Sequence, residues 1–198
     1  MKPIQEYTKQ EKLAEILEYR PSRIERATVL RYLLAVRRDN ADEVKYFESF
    51  GRDVRHIIAN VRTYEHGQLF GYTDKQFNEY GWLNGMLPIV ERIELDILNM
   101  IHIGQSINGT YAVTIDWSTG GAGGGSFPSV WDEPIADYKD AVRNGIEQFE
   151  RQYAYAMTRT AVDSCNYNAR KIRKLITKLA EIKRQYLEPK QLSLFDFV

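Results

Sequence analysis

Apolar positions recur at helical spacing along most of the chain. Ile4, Tyr7, Leu13, Ile16 and Leu17 alternate with charged residues and predict an amphipathic helix over 4–18, broken by Arg20-Pro21-Ser22. Ile24, Ala27, Leu30, Leu33 and Leu34 predict a second helix from about Ser22 to Arg38. Asp42 is the expected cap of a third, with Val44, Phe47, Val54, Ile57, Ile58 and Val61 facing a core, although Gly51 falls inside it. Residues 64–75 read as a connection. The stretch 76–103 reads as an interrupted helix, broken near Pro88, whose second half is strongly apolar and buried. The period then changes. Tyr111, Val113, Ile115 and Trp117 alternate with Ala112, Thr114 and Asp116, the pattern of a strand. A glycine-rich stretch follows at 118–126, and Phe127–Trp131 is the expected returning strand. Helical spacing resumes in Asp137–Met157, with Tyr138, Val142, Ile146, Phe149 and Tyr153 on one face. It resumes again in 169–187, with Ile172, Leu175, Ile176, Leu179, Ile182 and Tyr186, and Pro189 stops that helix.

The pattern predicts a mainly α protein: one helical domain over 1–187, of about six or seven helices, with a β-hairpin inserted at about 110–131 and a short C-terminal tail over 188–198. A length of 198 residues with 43% hydrophobic and 27% charged residues supports a core of ordinary size. Lysine plus arginine and aspartate plus glutamate balance at 27 each, which argues against coating nucleic acid by bulk charge and leaves room only for a local basic face. One cysteine, Cys165, excludes an intrachain disulfide. The first residues lack a signal-peptide core, and no run approaches the roughly 18 apolar residues of a membrane span, so a cytoplasmic location and no membrane contact are expected.

Few residues suggest chemistry. The last helix carries Arg170, Lys171, Lys174 and Lys178 on a face suited to a phosphate backbone, although a solvated helix side has the same appearance. The glycine-rich loop offers Ser118, Thr119 and Ser126 to a ligand, but it has no P-loop lysine and no helix follows it, so it reads best as a flexible hairpin tip. Asp53 and His56 share a helix face at metal-ligand spacing, with Glu91 and Glu94 as remote candidates. Neither the histidines His56, His66 and His102 nor Cys165 falls in a metal or nucleophile motif. No metal and no cofactor is expected.

The tail is the most informative segment. Leu192, Leu194, Phe195, Phe197 and Val198 crowd apolar bulk after a helix stop, which disordered termini ordinarily avoid. Gln191-Leu192-Ser193-Leu194-Phe195 resembles the bacterial sliding-clamp-binding motif, Gln-Leu-Ser/Asp-Leu-Phe, at all five positions. The resemblance covers those five residues only. It implies docking on the ring-shaped DNA clamp, with Leu194 and Phe195 as pocket anchors, Leu192 on a rim and Gln191 fixing register through its amide.

The first expectation is therefore a bacterial, phage or mobile-element accessory protein of DNA replication that docks on the clamp, with DNA as a second contact. A clamp-tethered enzyme acting on nucleic acid or nucleotides is the second. A helical structural or regulatory protein whose tail packs on its own body is the third.

Overall fold

The computed structural model describes residues 2–188. The chain divides into two compact units, one ending at Gly85 and the other beginning at Met86.

The first unit is helical. After a 3-10 turn at Ile4–Glu6 come α1 (Lys9–Glu18), α2 (Arg26–Arg37), α3 (Ala41–Glu48) and α4 (Val54–Leu69). Helix α1 starts later than its hydrophobic pattern suggests, because Thr8 and Glu11 form a reciprocal capping box. The expected third helix is two. Its break falls at Gly51, where a Cβ would lie 2.6 Å from that of His56, and Asp53 caps α4 by accepting from the His56 amide at 3.0 Å. Asn40, rather than Asp42, caps α3. The core gathers Ile16, Tyr32, Phe47, Phe50, Ile57, Ile58 and Val61. Tyr32 stacks on Phe47 at 4.8 Å, and the Lys75 ammonium sits 3.8 Å from the Phe50 ring centre, flanked by Tyr46 and Tyr64.

Burial, followed by the nearby carboxylate Glu65, pushes the Tyr46 phenol up to about 12 from an ordinary 10.0. Burial likewise raises Tyr32, with Glu48 adding to it. A raised folded-state value contributes stability that is complete below pH 10 and lost as pH rises through the folded value. Alkaline unfolding of this unit is therefore expected to begin above about pH 10, with Tyr46 ionising late. Tyrosinate absorbance followed against pH checks this: Tyr46→Phe should move the onset upward, and an unmoved onset contradicts the assignment.

The second unit corrects the sequence reading. The molecule is a mixed α/β fold rather than a mainly α one with a single hairpin, with six α-helices and a four-stranded antiparallel sheet among the described residues. The segment expected to be a buried helix after Pro88 is a hairpin of β1 (Ile89–Asp96) and β2 (Asn99–Gln105). Strand β3 (Tyr111–Ser118) pairs with β2 as the alternation predicts. Its partner on the other side is only β4 (Gly123–Gly124). The expected returning strand at Phe127–Trp131 does not join β3: Ser129 bridges to Met86, and Leu87 N–H donates to the Pro128 carbonyl at 2.9 Å.

Helices α5 (Tyr138–Arg159) and α6 (Ala169–Leu187) pack on one sheet face. Ile93, Leu95, Ile101, Ile103 and Val113 meet Val142, Ile146, Phe149, Tyr153, Ile172, Leu175 and Leu179 there. Gly145 lets α5 approach closely, since a Cβ would lie 2.5 Å from Ile101. Gly104, on the opposite face, lies under Pro128 and Leu87. No described helix is long and apolar enough to cross a membrane.

Candidate nucleic-acid interface

Lys171 and Lys178 of α6 reach the sheet near the turn of the β1–β2 hairpin. Asn168 caps the helix by accepting from the Lys171 amide at 3.0 Å, which starts it at Ala169. Ile172, Leu175, Leu179 and Ile182 are buried, so the opposite arc faces water. Lys171, Lys174 and Lys178, spaced at i, i+3 and i+7, lie along one side of that arc. The structure separates them by role. The Lys171 ammonium donates to Ser118 Oγ at 3.0 Å, and that of Lys178 to the Leu95 carbonyl at 2.7 Å. These two bind the helix to the sheet. Arg170 and Lys174 are exposed and pair with no carboxylate among the described residues.

Two side chains hold the hairpin turn. Asp96 accepts from the Leu98 amide at 2.9 Å and from Asn99 Nδ2 at 2.8 Å. Asn99 Oδ1, fully buried, accepts from the Ser118 amide at 2.9 Å and from the Tyr153 hydroxyl at 3.1 Å. Burial pushes the Asp96 carboxyl up, but the hydrogen bonds from Asn99 and Leu98 and the ammoniums of Lys171 and Lys178 outweigh it and hold the group below its ordinary range. It is thus held as a carboxylate under the turn. The turn positions, Ile97 and Leu98, are 83% and 55% exposed.

The glycine-rich loop is a socket for the turn that precedes α6. Gly121 and Ala122 N–H donate to the carbonyls of Cys165 and Asn166 at 3.0 and 3.2 Å, and Thr119 N–H donates to the Ala122 carbonyl. At Gly120, φ is +154° and a Cβ would lie 2.8 Å from the Asn166 carbonyl oxygen, so the close approach itself demands glycine. These amides are therefore engaged rather than open to a phosphate. Ser118 receives Lys171, Thr119 is buried, and Ser126 offers its carbonyl to Thr114 Oγ1 at 2.6 Å.

The remaining polar candidates have partners of their own within each unit. His56 Nδ1 lies 2.7 Å from Asp53, and its ring stacks on Trp82. Glu91 accepts from the hydroxyls of Tyr138 and Tyr186. His102, which falls in no sequence motif, is buried with Nε2 2.8 Å from Asp116. Among the described residues no three His, Cys, Asp or Glu side chains form a group that could hold a metal ion. Gln191, Leu192, Ser193, Leu194 and Phe195 lie outside the described residues.

No family model matches the chain, nor does any curated protein or solved structure. The functional reading therefore rests on the chain's own residues.

Proposed function

We propose that this protein docks on a bacterial DNA sliding clamp through Gln191–Phe195 and lays the exposed basic arc of α6 against DNA. The observation that carries the reading is the five-residue match beginning three positions after Glu188, where α6 has ended and the backbone is extended. The arc of Arg170 and Lys174 supplies the DNA contact, with Lys171 and Lys178 fixing its position.

Docking by a short terminal peptide loses chain entropy on binding, so affinity on the order of micromolar is expected. Leu194 and Phe195 each contribute roughly 1.5–3 kcal/mol when buried in a pocket. Calorimetry of the full chain with a purified bacterial clamp should show saturable binding. The Leu194→Ala/Phe195→Ala variant should bind at least about a hundredfold more weakly. Absence of saturable binding, or equal binding by the variant, rejects the reading.

A further inference from the structure

Ile97 and Leu98 occupy the two loop positions of a tight antiparallel hairpin, between the paired residues Asp96 and Asn99. Such positions favour Asn, Asp and Gly, which tolerate the backbone and interact well with water. Here two large aliphatic side chains project into solvent instead. Neither adopts a positive φ, so the turn gains nothing from their identity. The turn does not move freely, because Asp96, Asn99 and Tyr153 fix it from below.

Charge surrounds this apolar tip on the α6 side. Lys178 binds the Leu95 carbonyl just before the turn, and Lys174 and Arg170 follow outward around the same side of the helix. Asp96, beside the tip, is held by hydrogen bonds from the Leu98 amide and Asn99 Nδ2, and the ammoniums of Lys171 and Lys178 favour its ionised form. Glu94 and Asp116 alternate with the core-facing positions of β1 and β3, and so belong to the sheet face opposite α6. A rigid apolar point flanked by the exposed cations Arg170 and Lys174 matches a polyanion with an apolar interior reachable through a groove. Stacked base pairs behind a phosphate backbone have that chemistry.

Building on the DNA contact proposed above, we infer that Ile97 and Leu98 form a wedge. The wedge enters the minor groove of duplex DNA and partly unstacks a base step, while Arg170 and Lys174 hold the adjacent phosphates. Binding then bends the duplex and depends little on base sequence, because no base-reading side chain takes part.

The test uses the full chain and a mixed-sequence duplex carrying a fluorophore at each end. Anisotropy reads affinity and energy transfer reads bending. Wild type should bind in a salt-dependent way and shorten the end-to-end distance. Ile97→Ser/Leu98→Ser should abolish the bend and weaken binding roughly tenfold, with the salt slope kept. Arg170→Ala/Lys174→Ala should weaken binding and lower the salt slope by about two. All four side chains are exposed, and unchanged circular dichroism and melting confirm that each variant folds. Bending and affinity unchanged in the tip variant overturn the wedge but leave the basic-face reading intact. No salt-dependent binding by wild type overturns both. Tip-dependent binding to anionic phosphatidylserine vesicles without DNA binding overturns the wedge in favour of a membrane-surface contact.

Discussion

Phe149→Ala is expected to remove about 3–5 kcal/mol of stability from the second unit. Phe149 is wholly buried in the middle of α5, stacked on Tyr153 at 5.1 Å, and faces the strands through the cluster of Ile101, Ile103 and Val113. Truncation deletes the ring's contacts and leaves a cavity between helix and sheet. Pleated strands held in register by backbone ladders collapse poorly into such a space. Hydrogen exchange at the β2 and β3 amides, followed in rising denaturant, isolates the effect from the first unit. Protection unchanged by the substitution contradicts the packing of Phe149 on the strands. The effect on clamp binding should be small, since the anchors proposed for the clamp lie in the tail.

A second large loss is expected from Asn60→Leu, on the order of 3 kcal/mol or more in the first unit. Asn60 is 1% exposed. Its Nδ2 donates to the carbonyls of Phe50 and Gly81, both at 2.7 Å, and its Oδ1 accepts from the Leu83 amide at 2.9 Å. One amide thus serves three backbone groups, from the start of the α3–α4 break to the turn before Leu83. Leucine has similar bulk and leaves all three without that partner, which costs more than the net value of the bonds themselves. Thermal melting and exchange at the Leu83 amide read the result. A loss below about 1 kcal/mol would mean that water replaces the side chain fully.

These two residues also mark the limit of what the sequence reveals. Phe149 stands out in a helical stripe, and α5 and α6 follow the periodicity closely because long, capped, amphipathic segments carry redundant signals. Asn60 does not, since nothing in a sequence distinguishes a buried asparagine from a surface one. The β1–β2 hairpin is the main misreading. Asp96-Ile97-Leu98-Asn99 has no glycine or proline, so two strands run together as one apolar stretch that also fits a buried helix. The β-branched residues Ile89, Val90, Ile93, Ile101 and Ile103 were the available signal for strands. The glycine-rich loop reads as a flexible tip because glycine alone does not tell freedom from close packing. Only the Cys165 and Asn166 carbonyls against it settle the matter. At the candidate site the cations are legible one by one. Their pairing with an apolar turn requires the fold, because Lys178 and Leu95 are far apart in the chain.

The buried contact between Tyr153 and Asn99 bears on the timing of recognition. The Tyr153 phenol of α5 holds the base of an exposed turn whose Ile97 and Leu98 side chains stand largely in solvent. Such a turn meets its target already in its final shape, so little ordering remains to be done on contact. Association should then follow diffusion and ionic strength, with no slow rearrangement step, and the lifetime of the complex should carry the differences between targets.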